Sequence, residues 1–269
     1  MIGVAGCGRM GAPMLAALRN SGFDARGFDI RPASDFGALA PHISNNVAEL
    51  SQNLDTLITV VRDIPQTEAV LFGDQNFTAA PKLQRIIICS TLSPRYVMAL
   101  RARIAQNIQL IDAPMSGAQI AAEQARLSFM LGGDPAEIED CEPIFAAMGT
   151  HFHKMGAFGA GMQAKVLNNL LAASNTAMTR LILDWADQAG LDETALLNLI
   201  HTSSGQNWFA SHFNDIEFAR DGLEPDNTIA ILIKDIASAL DAAPKDADTT
   251  LPEEVQRQIA QLRPRPSSC

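Results

Sequence analysis

The sequence predicts a doubly wound α/β domain over residues 1–157 followed by an all-α domain over residues 158–269. Three observations carry this. Short β-rich apolar runs alternate with helix-like stretches through the first half, a glycine-rich turn sits at the first strand-to-helix junction, and no strand-like run follows Gly161. A chain of 269 residues with 47% hydrophobic content has enough apolar material for two packed cores.

Ile2, Val4 and Ala5 form the first apolar run. Gly6, Cys7, Gly8, Arg9, Met10 and Gly11 then spell G-x-G-x-x-G ahead of a helix-like stretch from residue 12 to 18. Gly6 allows a tight turn, Gly8 lets a pyrophosphate approach the backbone, and Gly11 permits close packing of helix on strand. The helix N-terminus presents amide donors to phosphate. A second apolar stretch around Phe28 ends at Asp29, 18 residues beyond Gly11, near the spacing at which an acid accepts bonds from ribose hydroxyls. Strand, glycines, helix and acid in this order form the Rossmann arrangement and predict a bound nicotinamide or flavin dinucleotide. Asp29 repels a 2′-phosphate and favours NAD, whereas Arg31 could pair with that phosphate and keeps NADP open.

Further strands are expected at residues 56–61, 85–89, 108–111 and 128–131, with helices at 67–72, 95–106 and 135–148. This alternation reads as an open, mostly parallel sheet covered on both faces. Helical patterns then run over residues 161–189, 192–201, 207–220 and 226–240, punctuated by Gly190, Gly205 and Gly222. A polar stretch over 241–250 leads into one last short helix, and residues 263–269 read as a loose tail.

The formal net charge of −10 argues against a nucleic-acid or anionic-membrane partner. No run of about 18 apolar residues is present to cross a bilayer. The cysteines at 7, 89, 141 and 269 are scattered without a C-x-x-C pair, which predicts neither disulfides nor zinc and fits a reducing cytoplasm. His151 and His153 alternate beside Lys154 and read as a strand edge, so no metal site is expected.

Residues 159–169 point to chemistry. A helix begun at Gly159, Ala160 and Gly161 carries Lys165, Asn168 and Asn169 at spacings of three and four, placing one ammonium and two amides on neighbouring surface positions. The residues that follow, Leu170, Leu171, Ala172 and Ala173, are those of a buried helix. A solvated lysine at a helix start is the alternative reading of this segment.

Taken together, these segments resemble the β-hydroxyacid dehydrogenases, a family that includes 3-hydroxyisobutyrate dehydrogenase. The resemblance rests on G-C-G-R-M-G at residues 6–11, C-S-T-L-S-P at 89–94, D-A-P-M-S-G at 112–117, the helix containing Lys165 and Asn169, and the late pair Lys234 and Asp235. It implies an NAD(P)-dependent oxidoreductase that interconverts a small 3-hydroxyacid with its semialdehyde or keto form. Lys165 would be the general acid and base, a role that needs a lowered amine pKa, and Asn169 would hold the substrate or orient the lysine. Ser116 and Gly117 would offer a hydroxyl and backbone amides to the substrate carboxylate. Gly6, Gly8, Arg9, Met10, Gly11, Asp29, Arg31, Val61, Thr91 and Lys234 would contact the dinucleotide. The resemblance further implies an active cleft between the domains and a homo-oligomer, dimer or tetramer, packed through the long helix.

Two departures stand out. Ala118 occupies the second glycine of the family's Ser-Gly-Gly, and the family's closing segment is missing after Leu251 and Pro252. Two other readings follow from these residues: an imine reductase on the same scaffold, which Lys165 argues against, and a non-catalytic dinucleotide-binding protein.

Overall fold

The computed structural model describes residues 1–225 and 227–266, and the chain separates into two compact units, Met1–Lys165 and Val166–Cys269. The first unit opens with β1 (Ile2–Ala5), α1 (Gly11–Asn20) and β2 (Ala25–Phe28), followed by β3 (Ile43–Ser44), α2 (Val47–Ser51) and β4 (Thr56–Thr59). Next come α3 (Ile64–Leu71), β5 (Arg85–Ile88), α4 (Pro94–Arg103), β6 (Gln109–Asp112), β7 (Met115–Ser116) and α5 (Ala118–Glu123). The unit continues with β8 (Leu127–Gly132), α6 (Pro135–Asp140), α7 (Glu142–Met148) and β9 (Gly149–Gly156).

Among the described residues, nine strands form one sheet in the order β3-β2-β1-β4-β5-β6-β8-β7, with β9 also paired to β8. The run from β3 to β6 is parallel, as crossover connections through helices require. One row of partners, Phe28, Ala5, Thr59, Ile88 and Asp112, marks the carboxyl ends of five neighbouring strands. The chain reverses direction across the sheet at β1, which pairs with β2 on one side and β4 on the other. Such a switch point opens a crevice at the strand ends. Each sheet face is buried under its own apolar cluster, one gathering Val4, Ile58 and Ile87 with Met14, Leu15 and Leu18 of α1, the other gathering Leu57, Ile86 and Ile88 with Val97 and Leu100 of α4.

The far side of the sheet departs from the expected parallel pattern, because β8 runs antiparallel to β6 and β7. The helix expected over 135–148 is two helices broken at Cys141, since Pro143 has no N–H and fits only a first turn. β9 was legible only through the alternation of His151 and His153. Its residues from Thr150 onward are exposed and carry no apolar face to announce a strand.

The helix α8 (Ala160–Ala189) contributes its first residues, through Lys165, to the first unit. The second unit holds the rest of α8 with α9 (Glu193–His201), α10 (Trp208–Ser211), α11 (Thr228–Asp241) and α12 (Thr250–Ala260). Asp192, Asn207 and Asn227 cap the last-named helices' predecessors α9, α10 and α11 with side-chain oxygens. Asp226, where the fourth helix of this half was expected to begin, lies outside the described residues, as do residues 267–269.

Two expectations fail here. The helix expected over 207–220 shrinks to α10, because tight turns such as Asp215 N to His212 O and Ala219 N to Ile216 O replace the helical ladder, and the carbonyl oxygens of Ala219 and Asp221 accept from the buried Arg180 guanidinium. Residues 263–266 are not a loose tail. Arg265 is 8% exposed and its guanidinium binds Glu193 at 2.7 Å, Asp184 at 2.9 Å and Asp187 at 2.8 Å, while Arg180 Nη2 donates to the Arg263 carbonyl. A charge this deeply placed is stable only when its partners come with it.

Candidate active site

The glycines of the first turn have the separate duties their spacing suggests. Gly6 adopts φ +93°, and a side chain there would press on the Val60 carbonyl and the Val61 side chain. Gly11 lies so close to the Gly6 carbonyl that any Cβ would overlap it, which fixes α1 against the end of β1. Gly8 faces open space, with nothing within 4 Å of a Cβ position. The α1 N-terminus beside it has no acidic residue in its first turn, leaving its positive end free to face phosphate. Arg9 is exposed and Met10 half-buried in the same turn.

Asp29 follows β2 and is buried. Its carboxylate accepts from the Cys7 N–H at 2.9 Å, which ties the acid to the glycine turn, and from Arg31 N, Nε and Nη2 at 3.0 to 3.1 Å. Burial pushes the Asp29 carboxyl upward, yet the hydrogen bonds from Arg31 and Cys7 hold it below the usual carboxylate range. The Arg31 guanidinium also bonds the Cys7 carbonyl at 3.1 Å and lies over the Phe36 ring at 4.6 Å. The two residues weighed as alternatives for cofactor choice are therefore an ion pair.

Val61 and Thr91 follow β4 and β5 on the same strand-end row. The buried Ser90 hydroxyl accepts from the Val61 N–H at 2.9 Å and so joins these two loops. Ser90 carried no assigned role in the sequence. Its signal was a small polar residue directly after an apolar strand.

Ser116 lies on β7 rather than in an open loop, and Gly117 precedes α5 with φ +136°. Ala118 sits at φ +54°, a left-handed conformation that favours glycine. The alanine thus keeps the backbone shape of a glycine position and bears the strain of its methyl group there.

Lys165 is 7% exposed, which excludes an ordinary solvated lysine. It belongs to the first unit, together with the strand ends that follow β1, β2, β4 and β5. The first turn of α8 is held by Asp112, the last residue of β6, whose carboxylate accepts from Gly159 N at 2.7 Å and Met162 N at 2.5 Å. Met162 in turn accepts from the Leu92 N–H at 3.3 Å through its sulfur. Burial pushes the Asp112 carboxyl up to about 6, against the lowering effect of its backbone donors.

In the helical unit, Asn169 donates to Asp235 at 2.6 Å, and Lys234 pairs with the same buried carboxylate at 2.8 Å. Asn169 stands one helical turn beyond Lys165. Among the described residues no group of three or more His, Cys, Asp or Glu is placed to hold a metal. The open side of Gly8, the unneutralised helix end and the anchored acid fit a dinucleotide.

Residues 1–157 match the family described as the NAD binding domain of 6-phosphogluconate dehydrogenase, and residues 159–263 match the NAD-binding family of NADP-dependent 3-hydroxyisobutyrate dehydrogenase. The chain belongs to the β-hydroxyacid dehydrogenase family. It is 32% identical over 251 residues to the L-threonate dehydrogenase of Cupriavidus necator, covering 90% of this chain and 83% of that one. The NAD-dependent L-serine dehydrogenase of Pseudomonas aeruginosa is 28% identical, over 91% of this chain and 86% of its own. A solved structure of Mycobacterium tuberculosis 3-hydroxyisobutyrate dehydrogenase with L-serine superposes with a TM-score of 0.80 at 29% identity, covering 96% of this chain and 92% of that one. Like the family, the protein is an NAD(P)-dependent oxidoreductase acting on a CH–OH group.

The Ala118 backbone yields a direct test. Ala118→Gly should stabilise the protein by about 0.5 to 1 kcal/mol in urea unfolding, because relief of left-handed strain exceeds the added chain entropy of glycine. Ala125→Gly, at φ +51°, is the matched control in the same conformation and should respond alike.

Proposed function

We propose that this family member interconverts a small 3-hydroxyacid and its semialdehyde or keto form, with Lys165 as the general acid and base. The observation that carries this reading is the burial of Lys165 in the unit that holds the dinucleotide residues. When bound, the nicotinamide supplies or accepts the hydride. Lys165 Nζ, as an ammonium, polarises the carbonyl oxygen and donates its proton during reduction. As a neutral amine it takes the hydroxyl proton during oxidation. Ser116 and the amides around Gly117 bind the substrate carboxylate, and Asn169 steadies the substrate or the lysine. Lys234, with its charge balanced by Asp235, is assigned to the dinucleotide. The relatives' named substrates, L-threonate, L-serine and 3-hydroxyisobutyrate, form the natural panel.

NAD is proposed over NADP, because an acid directly after the second strand, as Asp29 is, accepts from a ribose diol and repels a 2′-phosphate. A second copy of this chain is the proposed partner. Leu167, Leu171, Met178, Leu181 and Trp185 form an exposed apolar stripe along α8 at spacings that keep one helical face. The described cysteines, Cys7, Cys89 and Cys141, are free and buried, and we assign the protein to the cytoplasm. No helix is long and apolar enough to cross a membrane among the described residues.

Following reduced cofactor by absorbance, Lys165→Ala should lower kcat on the panel by about a thousandfold while the Kd for NADH changes less than about threefold. In the wild type, alcohol oxidation should rise with pH as the amine form grows, and a flat profile with an active Lys165→Ala variant would defeat the lysine assignment. With both cofactors compared, kcat/KM should favour NAD by about tenfold or more, whereas an NADP preference would hand the pocket to Arg31. Sedimentation velocity should find a dimer or larger assembly, and Leu171→Glu combined with Trp185→Glu should shift it to monomer. A wild-type monomer would refute the second-copy assignment.

A further inference from the structure

The buried carboxylate at the end of β6 has no part in the hydride or proton steps, yet it holds the helix that carries the lysine. We propose that Asp112 is a positioning residue that pins the first turn of α8 to the strand-end row and thereby sets where Lys165 Nζ stands. The inference rests on the reading of Lys165 as the acid-base group.

The geometry is specific. Asp112 is fully buried at the end of the row that also holds Ala5, Thr59 and Ile88, so its position is fixed by the parallel ladder. Its two oxygens reach donors three residues apart, Oδ1 to Gly159 N and Oδ2 to Met162 N. These are among the amides that a helix start leaves without intrahelical partners. Lys165 follows Met162 by three residues, nearly one turn. The pocket allows no slack, because a Cβ at Gly132 would overlap Asp112 Oδ1, and a Cβ at Gly161 would press on the Met130 carbonyl. A second tie acts in the same sense, since the Met162 sulfur takes the Leu92 N–H of the loop that carries Thr91. Lysine and cofactor loop are thus referred to one frame through a single turn of helix.

Ionised, Asp112 offers an acceptor to both amides and a negative charge to the positive helix end. Protonated, one oxygen becomes a donor and cannot serve an N–H. The elements packed on it bring few charges: β5 contributes Ile88, β8 contributes Gly132, and residues 159–162 contribute none, so Lys165 is the first charged residue along α8, with Arg180 fifteen residues further on in the other unit. Its shift comes from burial and backbone donors, so the pin loosens as pH falls through about 6.

Asp112→Asn keeps the side-chain volume and replaces one acceptor by an NH2 facing an amide. In the full chain with NAD and the panel hydroxyacid turned over fastest, this variant should lose about tenfold or more in kcat while KM for NAD stays within about twofold, as expected of a misplaced reacting group. In the reduction direction with NADH and the matching carbonyl acid, where the Lys165 ammonium is the working form, wild-type kcat should fall as pH drops through about 6, and Asp112→Asn should lack that acid limb. A variant with wild-type kcat and the same limb overturns the proposal. Should the variant fail to fold, the wild type decides, and kcat for reduction unchanged between about pH 7 and pH 5 overturns it. Should no hydroxyacid be turned over, the functional reading fails on its own terms and acetic anhydride labelling decides the pin. Labelling of Lys165, read by peptide mass spectrometry, should then quicken by about fivefold or more in Asp112→Asn, and an unchanged rate rejects the proposal.

Discussion

A charged side chain can be kept out of water only if the surrounding backbone supplies what the solvent would have supplied. Asp112 meets that condition with amides from the start of α8, and in doing so it converts the end of a strand into the anchor of a helix. Burial in this state disfavours the ionised acid, as its raised pKa records. A neutral side chain would remove that cost, but it could not accept from both amides at once. The first turn of α8 is therefore tied to the sheet, and Lys165 falls in the first unit with it.

The dinucleotide side obeys the same logic through closeness rather than charge. Gly11 can approach the Gly6 carbonyl because it has no Cβ, and this contact brings the positive end of α1 to the switch point of the sheet. Cys7 donates its amide to Asp29, so the glycine turn and the acid that follows β2 share one hydrogen bond. Ser90 performs the corresponding service between the loops after β4 and β5. Each binding element is braced by a neighbour in space that is 22 or 29 residues away in sequence.

That separation explains what could be read from the residues alone. The glycine turn, Asp29 and the Lys165 helix depend on spacings of a few residues, and periodicity or backbone freedom announces them. Their placement agrees with the sequence reading, as does the change from strands to helices after the first unit. Asp112 was visible only as part of a motif, because its donors lie 47 and 50 residues further on. Arg265 looked like a tail residue for the same reason, its partner Glu193 being 72 residues earlier. The alternation of His151 and His153 hinted at β9, but an exposed edge strand has no apolar face to delimit it. The helix expected beyond α10 gives way to tight turns, and the Arg180 guanidinium that holds their end lies 39 and 41 residues earlier in sequence. Ala118 is the opposite case: its sequence flagged an oddity, and the backbone angle says what the oddity is.

The Arg265 clasp bears on how the protein is made. Arg265 joins the end of α8 to the start of α9, so this clasp cannot close until residue 265 has been synthesised. Until then Glu193 has Arg220 as its cationic partner, and Asp184 has the field of Arg180. The nucleotide unit needs nothing from that distant segment to complete its ladder. Biogenesis should therefore be vectorial, with a finished sheet waiting on a helical half that locks late.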